Sequence, residues 1–234
     1  MHEELAAVLA LMPDEAKTVV AGREFWCGHL HGHEVVAVLS RIGKVAAATT
    51  ATALIERFGV GRIVFTGVAG GLGINVKVGD VVVADSFMQH DMDASPLFAR
   101  HEIPLYGMSR FPADAGLSDA LAQAVRTALP ATRLHRGLVL SGDRFVSTTG
   151  ESRALQAELP DALAIEMEGA AFAQVCHDYG IPFAAVRTVS DRADDDAHVD
   201  FARFIKEVAS QQSAAIVEAL LARPPGTIST SPAS

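Results

Sequence analysis

The chain has 234 residues, half of them hydrophobic, and a formal net charge of −9. That length buries a full core without disulfide or metal staples, and the acidic balance, with no runs of Lys or Arg, argues against a nucleic-acid-binding face. The two cysteines, Cys27 and Cys176, are far apart and lack CxxC spacing, which suits free thiols in a reducing compartment.

The N-terminal stretch MHEELAAVLALMPDEA has no basic leader, and acids flank its short apolar run, so it does not read as a signal peptide. No apolar run approaches the roughly 20 residues of a membrane span. The expectation is a soluble, cytoplasmic protein. Leu5–Leu11, ending before Pro13, reads as a buried strand. Two β-rich runs around His31-Gly32 read as a hairpin. GKVAAATTATALIERF reads as a helix, then RIVFTG and GDVVVADSF as strands. Residues 91–112 lack a period and contain several prolines, which predicts a long loop, functional or packed against a partner. LSDALAQAVRTAL reads as an amphipathic helix, GLVLSGDRFV as a strand running into a polar loop, and ALAIEM as a strand. EGAAFAQVCHDYG reads as a helix stopped by Gly180, and PFAAVRTVSD as a strand. A long helix follows, with Phe201, Phe204, Ile205, Val208, Ile216, Leu220 and Leu221 on one stripe. The expected fold is α/β, a three-layer αβα sandwich around a mostly parallel mixed twisted sheet. One domain spans 1–223, and the Pro/Ser/Thr-rich 224–234 is expected to be disordered.

Gly67, Gly70, Gly71 and Gly73 follow a strand in FTGVAGGLG. The spacing is not GxGxxG, and strand-like sequence follows where a Rossmann site needs a helix N-terminus. No P-loop occurs. The glycines fit either a tight strand exit or a backbone surface that a small ligand approaches closely. Glu15, Glu168 and Asp191 each stand where a strand is expected to end. In a parallel-type sheet those ends share one edge, where ligands bind. Converging carboxyls there can serve as general acid, as base for water and as acceptors for sugar hydroxyls. For each acid alone, a helix cap or first-turn charge is the plainer alternative. His29, His31 and His33 alternate, but the hairpin turn breaks their common face, and no metal site is expected. Asp194–Asp196 read as solvated acids at a helix start.

GVAGGL, KVGDVVVAD, QHDMD, GLVLSGDRFV, RIGKVAAA and the run AIEMEGAAFAQVCHDYGIPFAAVRTVSD together resemble the bacterial 5′-methylthioadenosine/S-adenosylhomocysteine nucleosidases of the nucleoside phosphorylase superfamily. The match keeps motif order from about residue 5 to 222. The resemblance implies that Asp191 protonates adenine N7, with Ser190 orienting it. It implies that Glu168 binds ribose hydroxyls, Met167 packs on the sugar and Glu15 activates water. Phe145 and Val146 would contact adenine, and Ala69 and Gly70 would line sugar and base with backbone. No metal or cofactor is implied. The loop 91–112 would close over the 5′ substituent of a neighbouring subunit in a homodimer, with Leu97, Phe98 and Pro104 as lining.

The implied reaction is hydrolysis of the N-glycosidic bond, releasing adenine and a 5-thio-ribose. The alternatives are a phosphate-dependent phosphorylase, a hydrolase of another purine nucleoside, and a non-catalytic nucleoside-binding protein in the same fold. The sequence departs from the family pattern at several positions, among them Val68, where some members carry a hydroxyl residue. Pro13 and Asp14 precede Glu15 where the family carries acidic neighbours. Arg41 replaces glycine in SRIGK, as a structural residue or as an anion site that would favour phosphorolysis. Glu166 is expected to pair with a buried base such as Arg187.

Overall fold

A computed structural model describes residues 1–194 and 210–224, together with 204, 208 and 226. The N-terminal run is helix α1 (His2–Leu9), not the expected strand. The reason is visible in its spacing: Leu5, Val8, Leu9 and Met12 fall on one 3.6-residue stripe and pack in one cluster with Leu30 and Ala37. Glu3 and Glu4 occupy the first turn, where carboxylates oppose the helix dipole.

Three strands follow, β1 (Ala16–Val20), β2 (Arg23–Leu30) and β3 (His33–Val38), as an antiparallel meander. His31 (φ 50°) and Gly32 (φ 80°) turn the β2–β3 hairpin. Two successive positive φ values are what a two-residue turn needs to match strand twist. Helix α2 (Lys44–Phe58) ends on left-handed Gly59.

The main sheet contains β4 (Ile63–Gly71), β5 (Val81–Gln89), β6 (Arg110–Pro112), β7 (Leu134–Ser141), β8 (Ala162–Glu166) and β9 (Phe183–Asp191), in the order β6-β5-β7-β8-β4-β9. It is mixed: β4–β9, β5–β7 and β7–β8 run parallel. The β4–β8 and β5–β6 pairs are antiparallel. An antiparallel β5–β9 pairing also closes the sheet on itself. Strand β6 falls inside the expected loop, so the irregular segment ends at residue 109.

Helices α3 (Ala115–Ala128), α4 (Thr149–Glu158), α5 (Gly169–Tyr179) and α6 (Ser210–Leu221) complete the described elements. One core lies between the sheet and α2 and α5, around Phe87, Phe172 and Phe183. The other joins the sheet to α3 and α6 through Val81, Leu121, Val186, Ile216 and Leu220. Phe201, Ile205, Asp195 and Asp196, with most of 224–234, lie outside the described residues. Among the described residues no ladder joins the meander to the main sheet. An open groove of about 1050 Å³ separates them, lined by Val35–Ser40 and residues 63–66.

Candidate active site

The candidate site does not lie in that groove, which is walled largely by aliphatic side chains and strand backbone. It lies at the end of the closed sheet, where β4, β8 and β9 stop together. Gly70 pairs with Ile165 of β8 on one side and Asp191 of β9 on the other. Gly70, Arg144, Phe145, Val146, Ile165, Glu166, Met167 and Asp191 line a small cleft there.

Asp191 is 2% exposed. The Ser190 hydroxyl donates to its Oδ2 and the Ala193 N–H to its Oδ1, both at 2.8 Å. A side chain on residue 70 would put its Cβ 2.9 Å from Asp191 Oδ1. Glycine there lets two strand ends and a carboxyl approach, as the ligand-accessible reading of this loop requires.

The EME segment resolves into two acids with different surroundings. Glu166 ends β8 and is fully engaged. It accepts from Gly169 N–H at 2.9 Å, from Glu168 N–H at 3.1 Å and from the Ser141 hydroxyl. It is paired with Arg187 Nη2 at 2.5 Å, as the sequence suggests. Arg187 is buried, its guanidinium 3.9 Å from the Phe65 ring centroid. A Cβ on Gly67 would meet its Nη1 at 2.5 Å.

Glu168 stands at the N-cap of α5, yet its side chain makes no cap bond; Glu166 caps the helix instead. The Glu168 carboxylate reaches across to the N-terminus of α2, accepting the Gly43 N–H at 2.8 Å. Burial, and then the Glu166 charge, push its pKa up to about 7, against the opposing pull of Arg187 and the Gly43 amide. This acid therefore exchanges its proton near neutrality.

A polar rim fixes the mouth. Lys44 Nζ bridges Asp91 at 2.7 Å and Gln89 at 3.0 Å. Asp91 accepts the Asp143 N–H at 2.9 Å, and Asp143 accepts the Lys44 N–H at 2.7 Å. These bonds lock α2, the end of β5 and the loop carrying Phe145 together. His90 lies beneath, where a Cβ on Gly142 would meet its Nε2 at 2.3 Å, and burial lowers its pKa. Sequence reading assigned Lys44 and Asp143 nothing; only the register of three separate elements brings them together.

The placement expected for Glu15 is overturned. No strand precedes it; Glu15 is exposed at the entry to β1 and does not line the cleft. The acid that the N-terminal segment buries is Glu4, which accepts from Ser213 Oγ at 2.8 Å and pairs with the Met1 amino group. Its place on the buried side of α1 became readable only once the segment was known to be helical. Ala69 and Val146 are buried beside the cleft, and Phe145 is 41% exposed above it. Leu97 is exposed, with Phe98 and Pro104 partly buried, and none of the three lines the cleft of its own chain. His29, His31 and His33 contact Asp14, Glu218 and the Arg223 carbonyl respectively. No group of three or more potential metal ligands occurs among the described residues.

The chain belongs to the phosphorylase superfamily, whose family model matches residues 1–222. It is 38% identical over 221 residues to the 5′-methylthioadenosine/S-adenosylhomocysteine nucleosidase of Shewanella denitrificans, covering 94% of this chain and 95% of that protein. The Neisseria meningitidis enzyme of the same name, solved in complex with methylthio-immucillin-A, superposes with a TM-score of 0.90 at 35% identity, covering 95% of each chain. The futalosine hydrolase of Helicobacter pylori superposes at 0.87 with 32% identity, covering 94% of each.

Proposed function

We propose that this protein hydrolyses the N-glycosidic bond of 5′-methylthioadenosine and S-adenosylhomocysteine, releasing adenine and the corresponding 5-thio-ribose. The observation that carries this reading is the placement of two carboxyls at the ends of the strands flanking β4: Asp191, 2% exposed, ends β9, and Glu168, whose pKa burial raises to about 7, stands two residues past β8. In the proposal Asp191 gives a proton to purine N7, so that the base leaves neutral. Ser190 and the Ala193 amide hold that carboxyl at the end of β9. Phe145 covers the base, and Val146, Ala69 and Gly70 bound it with side chain and backbone. Glu168 accepts ribose hydroxyls while the sugar develops oxocarbenium character, and Met167 packs on the sugar face. Water then adds to C1′ as the bond to the purine breaks and releases one proton to solvent, which balances the one Asp191 gave up. Glu15 is not placed as the base for that water, because it stands outside the cleft.

The cleft leaves about 20 Å³ of free volume, room for a water and not for a nucleoside. We further propose a homodimer in which the segment 91–109 of one protomer covers the 5′ end of its neighbour's substrate through Leu97, Phe98 and Pro104. Residues 1–223 are read as one catalytic domain acting in the cytoplasm; no helix among the described residues is long and apolar enough to cross a membrane.

The test is adenine release from methylthioadenosine by the purified protein, without and then with phosphate. Release without phosphate, with free methylthioribose as co-product, supports hydrolysis. Strict phosphate dependence makes the protein a phosphorylase. The likeness to the Helicobacter futalosine hydrolase gives one second reading, a hydrolase of another purine nucleoside. Cleavage of futalosine with inert methylthioadenosine would establish it.

A further inference from the structure

Among the described residues, Arg23 and Arg41, both outside the cleft, have no carboxylate partner. Arg23, at the start of β2, is 9% exposed, and its Nε has no hydrogen-bond partner. Its Nη1 and Nη2 reach only the carbonyls of Ala21 at 3.5 Å and Ala46 at 3.3 Å. Arg41, exposed and held at φ 67°, donates Nη2 to the Gly22 carbonyl of the same turn. The two cations are close enough that Arg41 depresses the Arg23 pKa, second only to burial. Glu24, the acid next to Arg23, is taken by Lys17 at 2.8 Å. A nearly buried guanidinium facing a second cation, with neutral acceptors alone, is an unfavourable arrangement until an anion joins it.

The position of this pair relative to the cleft suggests which anion. Arg41 is two residues from Gly43, whose amide holds Glu168, and Arg23 touches the first turn of α2 through Ala46. Both arginines therefore stand beside the N-terminal end of α2, which holds Glu168. We propose that Arg23 and Arg41 form an oxyanion subsite that receives the carboxylate at the far end of a nucleoside's 5′ substituent. The site thereby selects amino-acid-bearing thionucleosides over neutral ones. This inference rests on the nucleosidase reading and names its preferred substrate class.

The experiment compares kcat and KM for S-adenosylhomocysteine with those for 5′-propylthioadenosine, which has the same thioether stem without the carboxylate or amine. In the unaltered protein S-adenosylhomocysteine has the lower KM. Arg41→Gln, at an exposed position, lowers the kcat/KM ratio between the two substrates about tenfold, through KM. Arg41→Lys recovers part of it. Arg23→Gln moves the ratio the same way, and circular dichroism checks its folding. An unchanged ratio in folded Arg41→Gln overturns the proposal. So does the appearance of a ribose 1-phosphate when phosphate is added, because the anion is then free phosphate. If neither nucleoside is cleaved, the nucleosidase reading has failed. Calorimetric binding of the same two compounds then tests the subsite alone, and equal affinities would refute it.

Discussion

At the scale of single residues, two carboxyls at one strand edge have been given different chemistry by their neighbours. Glu168 in the folded protein holds its proton up to about pH 7, whereas an unfolded glutamate releases it near pH 4.3. Between those values the folded state binds more protons than the unfolded state, so stability from this group is highest below about pH 4.5. It falls as pH rises through 7, by about 3 kcal/mol in all. Glu168→Gln removes that slope. Urea unfolding should show the variant gaining on the parent between pH 5 and 8, and equal pH slopes would refute the assignment. The same proton controls binding, because ribose hydroxyls donate to the anion: KM for methylthioadenosine should fall as pH rises through 7 in the parent, and not in the variant. Asp191→Asn should keep the Ala193 contact and the fold while lowering kcat roughly 10²-fold or more, because the leaving base loses its acid. Near-parental turnover would remove Asp191 from that role. Glu15→Gln is expected to leave kcat/KM within about twofold, since Glu15 is exposed outside the cleft; a large loss would show that the N-terminal segment rearranges around substrate.

At the scale of elements, the turn between β8 and α5 places Glu168. Glu166 takes the capping role that Glu168 vacates, and it is also the partner of a buried cation. Glu166→Gln would keep the shape but leave Arg187 without its anion, which typically costs 3–5 kcal/mol. Chemical denaturation should report a loss of that size; a change under about 1 kcal/mol would mean that the Phe65 ring and solvent suffice for Arg187. Much of this was legible in the residues. The His31-Gly32 turn, the buried strands of the main sheet and the Gly180 stop all follow local rules of conformation and periodicity. The strand-end logic expects Glu168 just past one strand and Asp191 at the end of another, and there they stand, after β8 and on β9. It failed at the N-terminus, because seven mostly apolar residues fit a buried strand as well as a helix stripe, and only packing of Val8 and Met12 against Leu30 decides between them. Helix α4 escaped notice because its sequence TGESRALQAE is polar and buries little beyond Ser152. Asp91 follows a strand end in the sequence, but its joining to Lys44 and Asp143 could not be read there, since it links three elements through register alone.

At the scale of the whole molecule, the segment between β5 and β6 shows why a second copy belongs in the proposal. It is firmly seated on its own chain. Ile103 is buried, His101 pairs with Glu158 at 3.0 Å, and the Tyr106 hydroxyl donates to Asp178 at 2.8 Å. With those anchors in place the segment still turns Leu97 (85% exposed) and Leu105 (91%) to solvent. Across the mouth of the cleft, Ile42 and Val45 at the start of α2 are also exposed, at 64% and 79%. Isolated surface apolar residues are ordinary, but a fixed loop that offers leucines, beside a helix start that offers isoleucine and valine, suits a self-complementary interface about a twofold axis. Each Leu97 would then meet the partner's site, so assembly and activity would be lost together. If the proposed dimer forms, Leu97→Asp combined with Leu105→Asp should convert it to monomer in sedimentation velocity. KM for methylthioadenosine should rise at least tenfold, with the melting temperature of the isolated subunit little changed because neither side chain is buried. Raising protein concentration should restore both properties in step. A double variant that sediments as the parent does, or a monomer with parental KM, would place the 5′ end of the substrate wholly within one chain.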